Sequence, residues 1–124
     1  METGQKTILV VEDELPHLKL LREIFEGAGY RVLPARDGAE ARDLYRDRAV
    51  EIDLVFCDVA LPELGGWTVY LSLKEINPHV KVILTSGYLE PKVKSVFVAG
   101  GVKDFIAKPY EAETILQSVR QALS

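Results

Sequence analysis

Hydrophobic positions along this chain fall into two alternating rhythms. Four short segments are apolar at nearly every position: Ile8-Leu9-Val10-Val11, Leu54-Val55-Phe56-Cys57, Val80 to Leu84, and Phe105-Ile106-Ala107. Continuous rather than alternating runs of this length predict strands covered on both faces, as in the interior of a parallel sheet. A fifth segment, Tyr30-Arg31-Val32-Leu33-Pro34, is more polar and carries a proline. Proline cannot donate to a ladder, so this strand belongs at an edge.

Between the strands the spacing changes to three and four. Leu15, Leu18, Leu21, Phe25 and Ala28 share one helical face, with Pro16 in the tolerant first turn and Gly27 and Gly29 at the end. Asp37 followed by Glu40 reads as a capping box opening a second helix towards Leu44 and Tyr45. A third helix runs from about Trp67 to Ile76, until Asn77-Pro78 stops it. A short fourth runs from Pro91 to Ala99 and ends at Gly100-Gly101. The last has the clearest stripe: Ala112, Ile115, Leu116, Val119 and Leu123.

The order is thus strand-helix, five times over. Such alternation forces parallel pairing with right-handed crossovers and helices on both faces. The expected class is α/β, a flavodoxin-like doubly wound (βα)5 fold with strand order 2-1-3-4-5, which puts the proline-bearing second strand at an edge. The 124 residues match one compact domain, expected over 1–124. At 48% hydrophobic residues the chain can bury a core. The net charge of −4, with no basic stripe, argues against binding nucleic acid or an anionic membrane. The single cysteine, Cys57, excludes an intrachain disulfide and reads as a small buried hydrophobe. His17 and His79 lie far apart in sequence, which argues against zinc. Neither signal-peptide features nor an apolar run of ~20 residues is present, and a cytoplasmic protein is expected.

Ligands of such sheets bind beyond the carboxyl ends of the strands. Glu12 and Asp13 follow the first apolar run, Asp58 the third, Thr85 and Ser86 end the fourth, and Lys108-Pro109 follows the fifth. Any one acid there can be a helix cap or a solvated loop residue, but coincidence at four strand ends is harder to arrange. Three carboxylates against one ammonium leave an excess of negative charge that a divalent cation would neutralise. Oxygen-only ligands select a hard metal, Mg2+ first or Mn2+. An ionised aspartate beside a metal and a lysine suits phosphoryl transfer onto a carboxylate.

These motifs resemble those of a response-regulator receiver domain, the two-component phosphoacceptor of chemotaxis-regulator-like type, over essentially the whole chain. The matching residues are Ile8 to Glu14, Asp58-Val59-Ala60-Leu61-Pro62 with Gly66, Thr85-Ser86-Gly87, and Lys108-Pro109. The resemblance implies that Asp58 takes a phosphoryl group from a sensor histidine kinase, a phosphotransfer protein or a small donor. It implies that Asp13, Asp58 and the Ala60 carbonyl bind magnesium directly, with Glu12 acting through water. Lys108 and Thr85 would hold the phosphoryl group. Phe105 occupies the family's aromatic switch position, with core packing as the alternative. The mobile face would be the fourth helix, last strand and last helix, acting on a downstream effector, an attached output domain or a phosphorylation-dependent homodimer. Such a protein catalyses only its own phosphoryl transfer and dephosphorylation; it is not a turnover enzyme.

Departures from the family pattern carry their own expectations. Glu12 stands where aspartate is commoner, and Leu61 where methionine is frequent. Ala60 and Gly87 occupy positions that influence phosphoryl hydrolysis in this family, and neither side chain can position a water, so a persistent phosphorylated state is expected. Leu15-Pro16-His17 is a plausible kinase-docking edge, Tyr88 a candidate partner contact, and Trp67 a residue that packs at the start of its helix or anchors a partner. A flavin or nucleotide binder of the same fold would need a glycine-rich phosphate loop where Glu12-Asp13-Glu14 stands. A dehalogenase-like phosphatase would need an Asp-x-Asp motif after the first strand. A degenerate receiver acting without phosphorylation is the remaining rival. The chain could equally be a stand-alone regulator or one domain of a longer regulator or hybrid kinase.

Overall fold

The computed structural model describes residues 5–60, 65–87 and 91–124, without the side chains of 91–93. Leu61, Pro62 and Tyr88, singled out above, lie outside the described residues. Five strands and five helices alternate: β1 (Thr7–Val11), α1 (Leu15–Gly27), β2 (Arg31–Ala35), α2 (Gly38–Arg48), β3 (Leu54–Asp58), α3 (Gly66–Ile76), β4 (Val82–Ser86), α4 (Pro91–Ala99), β5 (Asp104–Ala107) and α5 (Ala112–Leu123). The sheet is parallel throughout, in the order β2-β1-β3-β4-β5, as expected.

β2 is an edge strand for the reason its proline suggests. The Arg31 amide donates to the Lys6 carbonyl and the Ala35 carbonyl accepts from the Glu12 amide, so odd-numbered positions face β1. Pro34, opposite Val10 in register, therefore turns its missing donor away from the ladder. Each of the inner strands β1 and β3 is buried at every position, which explains the unbroken apolar runs.

Two apolar layers flank the sheet. Ile8, Val10, Leu54, Phe56, Ile83 and Ile106 pack with α1 and α5, whereas Leu9, Val11, Val55, Cys57, Leu84 and Phe105 pack with α2 and α3. α1 contributes Leu18, Leu21 and Phe25 to the first layer, each worth roughly 1.5–3 kcal/mol when buried. Gly29, at φ 94°, lets the chain leave α1, and the Tyr30 amide returns to the Phe25 carbonyl.

Helix starts follow local chemistry. The Glu40 amide donates to the Asp37 carboxylate at 2.7 Å, capping α2. The Glu40 carboxylate accepts from the Arg36 amide, one residue before the usual capping-box partner. β4 begins two residues later than the apolar pattern predicts. Val80 is buried, but its amide is held by the Asn77 carbonyl in the turn that closes α3, so it joins the core without joining the strand. At its other end β4 runs through Thr85 and Ser86, with Thr85 opposite Asp58.

Candidate functional site

The parallel register delivers the expected residues to one edge. Glu12 follows β1 directly, Asp58 ends β3, Thr85 lies beside it in β4, and Lys108 follows β5. Glu12 is 1% exposed, Asp58 5% and Thr85 1%, while Asp13 is half-buried. Carboxylate oxygens of Glu12, Asp13 and Asp58 all lie within 4.8 Å of one another. Three acids so close, two of them buried, need compensation.

Lys108 supplies part of it. Its ammonium donates to Asp58 Oδ2 at 2.8 Å and to Glu12 Oε1 at 3.4 Å. The second contact, from the last strand to the first, was not visible in the sequence. Burial works against the ammonium, but the hydrogen bond and charge of Asp58, then the charge of Glu12, outweigh it and hold its pKa above the usual lysine value. The Lys108 amide is fixed by the Ser86 carbonyl at 2.7 Å, and the Lys108-Pro109 peptide is cis.

Backbone amides hold the remaining carboxylate oxygens. Ala60 N–H donates to Asp58 Oδ1 at 2.9 Å, and Glu14 N–H donates to Glu12 Oε2 at 3.2 Å. Burial raises the Glu12 pKa; the Glu14 amide opposes this, Asp58 repulsion adds to it, and Lys108 pulls back. The Val59 amide donates to the Thr85 carbonyl at 2.8 Å, tying the acid-bearing turn to β4. Formal charge in the cluster remains −2, three carboxylates against one lysine. An all-oxygen donor set with that excess fits a hard divalent cation held among the carboxylates of Glu12, Asp13 and Asp58.

Other residues fall where their chemistry puts them. Cys57 is buried, and its thiol pKa is pushed up by burial and then by the charges of Asp58 and Glu12, which suits a core residue. Phe105 is 2% exposed and its ring stacks on Phe97. Trp67 packs between Phe97 and Tyr70 rather than standing free. Sequence reasoning passed over Tyr110, which sits near Lys108; burial first, then Glu12 and Asp58, raise its phenol to about 12, against the pull of Lys108. A ring two residues past the lysine was the only available signal.

A sequence profile described as the response regulator receiver domain matches residues 8–120. The chain belongs to the response regulator receiver domain family. This receiver is 29% identical to the chemotaxis protein CheY of Bacillus subtilis over 118 residues, 94% of this chain and 97% of that protein. It is 29% identical over 124 residues to the transcriptional regulatory protein ZraR of Klebsiella oxytoca, all of this chain but 28% of that protein. The receiver thus spans little more than a quarter of the ZraR relatives. It superposes on the CheX-CheY-BeF3-Mg2+ complex from Borrelia burgdorferi with a TM-score of 0.91 at 28% identity, covering 96% of this chain and 90% of that one. Receivers are signalling modules of two-component systems, and accepting a phosphoryl group is general to the family. Among the described residues no helix is long and apolar enough to cross a membrane.

Proposed function

We propose that Asp58 is the phosphoacceptor of this receiver and that a divalent cation is required for the transfer. The observation that carries the reading is the Lys108 ammonium, 2.8 Å from Asp58 and 3.4 Å from Glu12, inside a cluster that still carries excess negative charge. The donor is the phosphohistidine of a sensor kinase or phosphotransfer protein, or a small acyl phosphate. An Asp58 carboxylate oxygen forms the new O–P bond as the donor's P–N or P–O bond breaks, and the leaving group keeps the electron pair. The Ala60 amide and Lys108 each donate to one of the two Asp58 oxygens and together fix the carboxylate plane for that approach. Asp13, Asp58 and the Ala60 carbonyl would hold magnesium, with Glu12 reaching it through water, and the ion would supply positive charge for the phosphoryl oxygens. Lys108, freed from part of its carboxylate pairing, then turns to the phosphoryl group, and Thr85 hydrogen-bonds it from β4.

The Borrelia CheY structure supports the reading, since BeF3 has the shape and charge of a bound phosphoryl group and is accompanied there by Mg2+. Output follows as a shift between two arrangements of α4, β5 and α5, read by an effector protein, an attached output domain or a second copy of the chain. We take residues 1–124 as one receiver unit working in the cytoplasm, where kinase and magnesium meet. The CheY match accords with a stand-alone regulator and the ZraR match with a domain of a longer one.

Incubation with Mg2+ and acetyl phosphate, followed by intact mass, tests the reading. A mass gain of one phosphoryl group is expected for the wild type, and none for Asp58→Asn or in excess chelator. An adduct that persists in Asp58→Asn would refute the assignment.

A further inference from the structure

Three aromatic rings outside the acid cluster form a continuous stack, and two of them, Trp67 and Phe97, have no part in the reaction above. Trp67, the chain's one tryptophan, is the second residue of α3. Its ring centre lies 4.7 Å from that of Phe97 in α4, at an interplanar angle of 11°. Phe97 lies 5.2 Å and 23° from Phe105 in β5. The indole also fills a notch at the end of α4, because a Cβ on Gly100 would meet Trp67 Cη2 at 2.6 Å. One turn further along α3, the Tyr70 hydroxyl donates to the Gly100 carbonyl at 3.1 Å. Of the described side chains of α4, Lys94 to Ala99, Phe97 alone is not exposed. Within that span the packing of α4 rests on one ring.

The other end of this stack reaches the acceptor. Gly66 precedes Trp67 and donates its amide to the Val59 carbonyl at 2.9 Å. A Cβ at Gly66 would meet Val59 Cα at 2.7 Å and the Asp58 carbonyl oxygen at 2.8 Å. The first turn of α3 is therefore in backbone contact with the peptide that bears the acceptor. Asp58 Oδ1 accepts from the Ala60 amide of the same turn, so carboxylate orientation and turn shape are linked.

We propose that Trp67 is a positioning residue of this receiver, holding the first turn of α3 against the Asp58–Ala60 turn and passing its displacement to α4 and β5 through Phe97 and Phe105. The proposal rests on Asp58 being the acceptor. Dispersion contacts weaken steeply with separation, so a sub-ångström shift of the turn either drags the stack along or breaks it. Close-packed contacts of this kind settle into discrete arrangements. A second route from the same turn runs through the backbone, from the Val59 amide to the Thr85 carbonyl. Removing the Phe97 ring cuts the first route and leaves the second.

The test uses the full chain with Mg2+ and acetyl phosphate. Intact mass counts the adduct, Trp67 emission reports the indole, and amide exchange across 94–107 reports transmission. In the wild type, emission and exchange should change in step with the adduct. Phe97→Leu should keep the adduct and lose the exchange change in α4. Trp67→Leu should weaken Mg2+ binding and slow adduct formation, with Trp67→Phe restoring both. Should Trp67→Leu fail to fold, Phe97→Leu decides alone. An adduct with wild-type exchange changes in Phe97→Leu, or wild-type rates in a folded Trp67→Leu, would overturn the proposal. A wild type that takes no phosphoryl group removes the acceptor reading and this one with it, and the mass identifies that case.

Discussion

The two faces of the sheet use aromatic rings in opposite ways. Under α1 and α5, Phe25 and Phe56 meet edge to face, 5.3 Å apart at 75°, and Phe56 meets Tyr110 at 77°. Phe25 and Phe56 are sealed from solvent, so each ring is locked by neighbours on several sides. On the other face Trp67, Phe97 and Phe105 stack nearly parallel, and the first two are only partly buried. Interlocked rings resist displacement in every direction, whereas stacked rings resist separation far more than sliding. One face closes fully around Phe25 and Phe56, whereas the other leaves Trp67 and Phe97 partly open to solvent.

Truncation should separate the faces most strongly. Phe25→Ala opens a cavity in the closed layer and should cost about 3–5 kcal/mol by urea unfolding. Phe97→Leu removes a partly buried stack worth about 0.5–1.5 kcal/mol beyond its area and should cost about 1 kcal/mol. Equal costs would dissolve the comparison. The next effect concerns the notch. Gly100→Ala places a methyl against the indole, and the overpacking should cost about 1–3 kcal/mol. Paired with Trp67→Phe, which shortens the ring, the same substitution should cost less. Additive costs would mean that the notch and the indole are not keyed.

Most of the architecture was legible because it rests on local rules. Unbroken apolar runs marked the buried strands, Pro34 marked the edge, and Asp37 with Glu40 marked the start of α2. The residues of the acid cluster were legible for a related reason: a parallel sheet sends every strand's carboxyl end to one edge, so chain position alone locates them. What escaped depends on three-dimensional packing. Val80 satisfies the strand pattern, yet a turn hydrogen bond claims its amide. The Lys108–Glu12 contact joins residues 96 apart, and nothing local announces it. Phe97 drew no notice because a lone phenylalanine on a short helix reads as ordinary core. Its importance comes from the exposure of its described neighbours, which only coordinates reveal.

Phosphoryl lifetime is the third contrast, since Ala60 follows the Asp58 turn, Gly87 follows β4, and neither side chain can orient a water. Ala60→Asn should shorten the lifetime of the phosphorylated form roughly tenfold, the scale of one positioned hydrogen bond of about 1.4 kcal/mol. Decay followed by intact mass measures it. A wild-type half-life as short as the variant's would mean that another group already activates water.

The smallest effect belongs to the acid edge, where Glu12 follows β1. Burial raises its pKa above the ordinary value of 4.5, so the folded state holds this proton more tightly than the unfolded chain does. The resulting stabilisation is fully present below the unfolded value and is lost as pH rises through the folded one. In metal-free buffer, Glu12→Gln should therefore flatten the fall in stability that the wild type shows across that window, measured by urea unfolding at acidic and neutral pH. The Phe97 stack should not respond, because no titratable group of the cluster belongs to it. A pH-dependent change in Trp67 emission over the same window, absent from Glu12→Gln, would instead tie the two faces together through the acid edge.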